Sequence, residues 1–317
     1  MDKQLLGIHH ITGIAGDPQG NVDFYAGVLG LRLVKLTVNF DDPGTYHLYY
    51  GDGIGHPGTI VTFFPWANGQ KGRQGTGQVT AISFAVPKAA IRYWADRLDE
   101  HRIVHKASER FGEQTLSFAD PDGLGIELIA TADLAAERAY AKGSVLPEFA
   151  IHGFHSSTLT ESGYQRTAAL LTDTMGFRLV QQEGNRFRYA AESGGPGAIA
   201  DVVCAPEDRA GRVAVGTVHH IAWRTGDDRQ QESWQAELTR LGYDVTPVID
   251  RKYFHSIYYR EPGGILFEIA TDPPGFAVDE APEDLGSKLQ LPPWLEPARK
   301  ELMAILPPLR LPDGAHQ

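Results

Sequence analysis

Two pairs of adjacent histidines are the residues of this chain best suited to metal chemistry. His9 and His10 stand near the start, and His219 and His220 follow about 210 residues later, both pairs in apolar segments rich in β-forming residues. Successive side chains of a strand face opposite ways, so one histidine of each pair can enter a site while its neighbour supports it from behind. The sequence therefore predicts two ligand-bearing strands that the fold must bring together.

The composition is that of a globular protein and excludes several classes of function. Of 317 residues, 42% are hydrophobic and 22% are charged, and this length suffices for two domains with real cores. A formal net charge of -11 argues against nucleic acid or a membrane surface as a partner. The single Cys204 rules out an intrachain disulfide framework, and the N-terminus has no apolar run suited to a signal peptide or membrane span. We therefore expect a cytoplasmic protein.

A unit of one strand, one helix and three further strands recurs four times, with a period of roughly 70 residues. The first unit shows the helix signal well, because Asp17 is suited to the N-cap and Pro18 to the first helical position. The best local match aligns residues 120–129 without a gap on residues 261–270. The four units begin near Ile8, Val79, Phe154 and Val218.

These repeats divide the chain into four segments. An N-terminal pair of modules is expected in residues 1–135, a linker with a short helix in 136–150, a C-terminal pair of modules in 151–275, and a Pro-rich tail in 276–317. The tail contains one expected helix over residues 297–306, which we predict to pack as a cap or across an interface.

Aligning the four units compares two positions across all of them. The position in the first strand holds His10, Ala81, Ser156 and His220. The position in the last strand holds Thr62, Glu127, Asp201 and Glu268. Units one and four together supply two histidines and one carboxylate, whereas units two and three supply two acids and no histidine. The position just before the first-strand position holds His9, His155 and His219. We expect these histidines to support the site rather than to bind a metal ion.

Two imidazoles and one carboxylate with open positions suit non-haem Fe(II) and oxygen chemistry. Mn(II) fits the same donors, and Zn(II) remains an alternative because two histidines and a glutamate also form catalytic zinc sites. The predicted metal ligands are His10, His220 and Glu268. Because His10 lies in the first unit and the other two ligands lie in the fourth, the first and last modules must pair around one metal.

The sequence resembles the vicinal oxygen chelate superfamily, which contains glyoxalases, bleomycin-resistance proteins and extradiol dioxygenases. Within it, the chain is most similar to ring-cleaving dioxygenases of the hydroquinone and chlorohydroquinone type, over nearly its whole length. The segments that carry this resemblance are 7–12, 218–222, 251–260, 264–272 and 292–297.

The resemblance implies an α+β fold in which four βαβββ modules form two half-barrel pairs, with Fe(II) between the first and fourth modules. It implies supporting catalytic roles for His9, His219, Arg251 and Tyr258 around that iron. Arg251 could neutralise a phenolate or a developing carboxylate. The implied partners are a small aromatic diol and O₂, and a homo-oligomer is compatible with the family.

Two other functions stay open at this point. A glyoxalase-like isomerase or lyase would need a second carboxylate or a glutamine ligand where the alignment has Thr62. A non-catalytic protein that binds an aromatic compound would need no metal ligands. His47, His56 and His255 are expected in loops or at strand ends facing solvent, with His255 as a candidate for the mouth of the pocket.

Overall fold

The computed structural model describes residues 3–132, 134–135 and 138–312. The described residues form four consecutive βαβββ modules, as the repeat predicts. The first module contains β1 (Ile8–Ala15), α1 (Pro18–Val22), β2 (Arg32–Asn39), β3 (Asp42–Gly51) and β4 (Ile60–Pro65). The second contains β5 (Gln78–Pro87), α2 (Ile91–Glu100), β6 (His105–Arg110), β7 (Glu113–Ala119) and β8 (Gly125–Thr131).

The third and fourth modules repeat the same order. The third contains β9 (Phe154–Glu161), α3 (Gln165–Ala169), β10 (Arg178–Glu183), β11 (Arg186–Ala190) and β12 (Ile199–Cys204). The fourth contains β13 (Thr217–Thr225), α4 (Asp228–Arg240), β14 (Ile249–Asp250), β15 (His255–Arg260) and β16 (Leu266–Thr271). The tail carries the last helix, α5 (Arg299–Ile305).

The helix of the first module begins and ends as its sequence predicts. Asp17 caps α1, and its Oδ2 accepts a hydrogen bond of 2.7 Å from Gly20 N. The chain then widens into a π-helical segment, Asp23–Val28, and turns at Gly30 with a φ of +70°. A matching π-helical segment, Leu170–Thr174, follows α3 in the third module. The modules therefore share details that the coarse repeat did not predict.

The strands form two eight-stranded sheets that pair the modules in a nested way. Modules one and four make the sheet β14-β15-β16-β13-β1-β4-β3-β2, and modules two and three make β10-β11-β12-β9-β5-β8-β7-β6. We call these the outer half-barrel and the inner half-barrel. The expected pairing of the first and last modules is confirmed, and each half of the sequence contributes one module to each half-barrel.

Each half-barrel is closed at its centre by one antiparallel pair. Strand β1 pairs with β13 in the outer half-barrel, and β5 pairs with β9 in the inner one. The helices bury matching apolar residues, Trp94 and Leu98 on α2 and Trp234 and Leu238 on α4. Burial of such side chains supplies the main free energy of folding.

The tail packs on the outer half-barrel. Leu302 of α5 and the later Leu309 are buried in the main core. Earlier in the tail, Asp279 and Glu280 pair with the fully buried ammonium of Lys35 on β2. The linker expected at 136–150 includes residues 136 and 137, which lie outside the described residues; a 3₁₀ turn, Pro147–Phe149, ends it. Among the described helices, none is long and apolar enough to cross a membrane.

Candidate metal centre

Both histidine pairs lie in β-bulges of the central strand pair of the outer half-barrel. Ile8 pairs with Trp223 and His10 with Ala222, so His9 is the extra residue on β1. Thr12 pairs with His220 and Gly13 with Val218, so His219 is the extra residue on β13. A bulge re-aims side chains and is frequent beside active sites. The two bulges let both histidines of each pair take part in one site.

The three predicted ligands converge at the centre of this sheet. His10 Nε2 lies 3.2 Å from His220 Nε2 and 3.3 Å from Glu268 Oε2, and His220 Nε2 lies 2.9 Å from the same carboxylate oxygen. All three residues are buried. Among the described residues, this is the group of histidine, cysteine and acidic side chains whose atoms lie close enough together to share one metal ion.

The adjacent histidines fix the rings of the two ligands. His9 Nδ1 lies 2.8 Å from His10 Nδ1, and His219 Nδ1 lies 2.8 Å from His220 Nδ1. If His10 and His220 each donate their Nδ1 proton to the neighbouring ring, both Nε2 atoms keep free lone pairs that face Glu268. A ligand histidine normally has its second nitrogen held in this way, and this sets its tautomer.

The electrostatics of Glu268 fit a cation. Burial alone would raise the pKa of this carboxyl, but His10 and His220 outweigh it and hold the pKa well below its ordinary range. Ser256 Oγ donates a short hydrogen bond to Oε1, while the buried Oε2 accepts no hydrogen bond of acceptable geometry. A buried carboxylate oxygen without a partner is costly, so a bound metal ion would satisfy it. Two imidazole nitrogens and this oxygen match the donors that Fe(II), Mn(II) or Zn(II) accept.

A cavity of about 350 Å³ opens over the three ligands. Most of its exposed wall is apolar, but many of the lining residues also carry a polar group. The residues that line it include His10, His220, His219, Asn39, Phe40, Asp41, His47, Tyr49, Phe64, Trp66, Thr246, Ile249, Arg251, Phe254, Tyr258 and Leu266. A small aromatic molecule suits such a pocket, because its ring faces contact apolar side chains while a few groups orient its oxygens.

Arg251 and Tyr258 form one wall of the cavity. Tyr258 on β15 is the cross-strand partner of Glu268 on β16, so this antiparallel pair places both side chains on one face. Arg251 Nε donates to Tyr258 OH at 3.3 Å, and its NH1 donates to Asp41 Oδ2 at 3.0 Å. Burial alone would lower the pKa of Arg251, but Tyr258 and Asp41 hold it above its ordinary value. The cavity therefore contains a permanent cation.

The neighbouring imidazoles are uncharged near neutral pH. Burial, with His220 alongside, lowers the pKa of His219 to about 3. Burial, again with the adjacent ligand His10, lowers the pKa of His9 well below its ordinary value. His219 lines the cavity, whereas His9 packs against Phe254 with ring centroids 5.0 Å apart. His219 can therefore contact a bound molecule, and His9 acts only through His10.

Among the histidines that line the cavity, His47 is the one that the sequence prediction placed wrongly. His47, expected to face solvent, lies inside the cavity with Nε2 2.8 Å from Thr62 Oγ1 and Nδ1 2.8 Å from Tyr49 OH. The two-residue alternation of β3 could have revealed it, because His47 and Tyr49 share one face.

Two other histidines lie outside the cavity. His255 pairs with Asp228 at 2.6 Å and does not belong to the cavity lining, so its expected place at the mouth is not supported. His56 pairs with Asp52 at 2.5 Å. Both histidines therefore belong to local hydrogen-bonded pairs with an aspartate rather than to the site.

The chain has relatives over nearly its full length. Residues 7–128 and 153–269 match the model of the glyoxalase/bleomycin resistance protein/dioxygenase superfamily. A Bacillus subtilis (strain 168) protein provisionally named ring-cleaving dioxygenase MhqO is 52% identical over 302 residues, which cover 95% of this chain and 96% of that protein. The chlorohydroquinone/hydroquinone 1,2-dioxygenase of Sphingobium indicum is 37% identical over 312 residues, 96% of each chain.

Solved structures agree with these matches. The crystal structure of a provisionally assigned dioxygenase from Bacillus subtilis superposes with a TM-score of 0.94 and is 51% identical, covering 97% of this chain and 98% of its own. Glyoxalase I from Zea mays superposes with a TM-score of 0.63 at 14% identity, covering 84% of this chain and 92% of its own. The second likeness is one of fold alone.

Proposed function

This chain belongs to the glyoxalase/bleomycin resistance protein/dioxygenase superfamily as an extradiol-type ring-cleaving dioxygenase, and we propose that it uses Fe(II) to open the ring of a hydroquinone-like or catechol-like diol. The observation that carries the proposal is the convergence of His10, His220 and the unpartnered Oε2 of Glu268 under a small aromatic cavity. Both atoms of O₂ would enter the product.

We assign the iron to His10, His220 and Glu268. When bound, Fe(II) supplies Lewis acidity toward the substrate hydroxyl and an open face for oxygen. The protein contributes a dry, preorganised site, because all three ligands are buried and held by neighbouring groups.

Arg251 and Tyr258 are proposed to bind the substrate oxygen that loses its proton. The guanidinium is cationic at every physiological pH and would stabilise a phenolate, and later the negative charge on the opened product. Burial and the nearby Glu268 raise the pKa of Tyr258, with Arg251 opposing them, so its hydroxyl stays protonated and can donate a hydrogen bond. Apolar residues such as Phe64 and Phe254 would exclude water from the ring.

His9 and His219 are proposed to play different parts. Both hold a ligand imidazole in the tautomer that a metal requires. His219 also lines the cavity, and because its Nδ1 accepts from His220, its own proton lies on Nε2, where it would donate a hydrogen bond to a substrate oxygen. A cytoplasmic location and assembly into a homo-oligomer remain predictions from the sequence.

The presence of Thr62 argues against a glyoxalase-like isomerase. Thr62 occupies on β4 the place that Glu268 occupies on β16, and its hydroxyl already exchanges hydrogen bonds with Thr12 and His47, each 2.8 Å long. A fourth protein ligand is therefore missing where a glyoxalase-like reaction would need one. The other alternative, a non-catalytic protein that binds an aromatic compound, would not require three buried metal-binding side chains that converge on one point.

The test is anaerobic loading of the purified chain with Fe(II), followed by oxygen uptake with a panel of hydroquinones and catechols. We expect one iron per chain and uptake of one O₂ per ring opened with at least one diol. Fully iron-loaded protein that consumes no oxygen with any diol would contradict the proposal. Loading with Zn(II) is the control, since zinc occupies the same donors and has no redox chemistry.

A further inference from the structure

The outer half-barrel has a second cavity wall that mirrors the first. Tyr49 pairs with Thr62 across β3 and β4 as Tyr258 pairs with Glu268 across β15 and β16. Both tyrosines line the cavity. The two walls therefore present one phenol each to a bound molecule.

The mirrored tyrosines have chemically different partners. Tyr258 accepts from the cation of Arg251, whereas the Tyr49 hydroxyl lies 2.8 Å from the ring nitrogen Nδ1 of His47. The imidazole of His47 is half-buried, and desolvation, followed by the nearby His10, lowers its pKa well below the ordinary value. The first wall thus suits an anionic oxygen, and the second suits a neutral hydroxyl.

A continuous hydrogen-bond chain fixes the second wall. It runs from Tyr49 OH through His47 and Thr62 Oγ1 to Thr12 Oγ1, with each step 2.8 Å long. Whichever way the protons point, the Tyr49 hydroxyl keeps either its proton or a lone pair available to the cavity. A chain of this kind holds the hydroxyl in place before any ligand arrives.

The second wall, which carries Tyr49, lies two strands away from the strand that carries His10. Strand β4 lies between β1, which carries His10, and β3, which carries Tyr49. Neighbouring strands are about 4.8 Å apart, so β3 lies roughly 10 Å from β1 along the curved sheet. When one hydroxyl of an aromatic ring lies at the three ligands, a hydroxyl in the para position can reach the wall that carries Tyr49. A hydroxyl in the ortho position instead stays next to the first hydroxyl, near the ligands.

We propose that Tyr49, held by His47, binds the second hydroxyl of a para-diol whose first hydroxyl lies at the His10, His220 and Glu268 cluster. This inference deepens the proposed function and rests on it. Tyr49 thereby becomes a substrate-contacting residue that selects para- over ortho-diols, and His47 becomes its positioning residue.

The test is anaerobic calorimetry on the Fe(II)-loaded full chain with three probes: hydroquinone, catechol and phenol. Tyr49→Phe should raise the Kd of hydroquinone about tenfold, the usual effect of one lost hydrogen bond. The Kd values of catechol and phenol should change by less than about twofold. In oxygen uptake, the same variant should raise KM for hydroquinone more than it lowers kcat.

The matched control is Tyr50→Phe on the same strand, which loses a 2.9 Å hydrogen bond to Asn21 and lies outside the cavity lining. It should leave all three Kd values unchanged. If Tyr49→Phe does not fold, His47→Gln replaces it and should weaken hydroquinone binding alone, by about threefold.

Equal weakening of hydroquinone and phenol, or no weakening of either, would overturn the role of Tyr49 while leaving the dioxygenase intact. Wild-type protein that loads iron but binds none of the probes would overturn both the role and the proposed function.

Discussion

The two half-barrels have the same strand order and matching bulges, but one encloses a cavity and the other encloses ion pairs. The bulges lie in the first strand of each module. The bulged residues are His9 and His219 in the outer half-barrel and Thr80 and His155 in the inner one. The backbone is therefore repeated while the chemistry is not. The difference lies in which side chains fill the concave face.

Arginine fills the inner half-barrel. Where the outer one pairs Tyr258 with Glu268, the inner one pairs Arg188 with Asp201, and the guanidinium binds this carboxylate through two hydrogen bonds of 2.7 and 3.0 Å. Arg110 on β6 donates one hydrogen bond of 2.7 Å to Glu127. A carboxylate that already has a cation of its own protein has no need of a metal ion. Among the described residues, only the outer half-barrel places two imidazoles beside a carboxylate, in a group close enough to share one metal ion.

The largest effect should come from removing the carboxylate of the outer half-barrel. Glu268→Gln preserves size but removes the anionic oxygen between the two imidazoles, so we expect iron content below about 0.1 per chain and no oxygen uptake. Metal analysis after dialysis measures this. The register-matched Glu127→Gln should keep its iron and instead lose up to about 3 kcal/mol of stability, because the half-buried Arg110 loses its anionic partner. Equal iron loss in both variants would break the comparison.

A smaller effect is expected at the cation of the cavity. Arg251→Met should lower kcat/KM by roughly 10- to 150-fold, since a hydrogen bond to a charged group contributes about 1.5–3 kcal/mol. Iron content should be unchanged. Asp41→Asn serves as the control, because this partner is largely exposed and should alter kcat/KM by less than about threefold. A larger effect for Asp41 than for Arg251 would refute the assignment.

Replacing a bulged histidine should weaken iron binding only in the outer half-barrel. His9→Gln removes the ring that holds His10, and we expect iron to bind about tenfold more weakly, at the lower end of effects seen for groups that orient metal ligands. His155→Gln changes the matching bulge, where the imidazole lies 3.0 Å from Glu113, and should leave iron affinity as it is. Competition with a chelator measures both.

The smallest expected effect is on how the stability of the inner half-barrel depends on pH. Burial raises the pKa of Glu113, but hydrogen bonds from His155 and Arg188 outweigh it and lower the pKa to about 2. Because this pKa is depressed on folding, its contribution to stability is present above the ordinary carboxyl pKa and is lost as the pH falls toward 2. Thermal unfolding of wild type and Glu113→Gln should differ at pH 7 and converge near pH 2. A difference that persists at pH 2 would rule out this origin.

The repeat allowed the nested pairing and the three convergent side chains to be predicted from sequence. His10 and His220 occupy equivalent places in modules one and four, and Glu268 occupies the place in module four that Thr62 occupies in module one, so aligning the modules identified all three donors. The bulges at His9 and His219 were not predictable, because an extra residue in a ladder shows only once the partner strand is known. His47 was missed because its role depends partly on Thr62, which strand pairing rather than local sequence brings to it, although Tyr49 lies on the same face of β3.

The nested order of the modules has a consequence for how the protein emerges from the ribosome. Residues 78–204 contain every strand of the inner half-barrel, so this half can close while the rest of the chain is still being made. The outer half-barrel must wait, with β1 unpaired on one side, until β13 and β16 have been synthesised. Its contacts span more than 200 residues, and such distant pairings form slowly. Glu268 is the last of the three donors to arrive, so acquisition of the metal would mark a chain whose translation and folding are nearly complete.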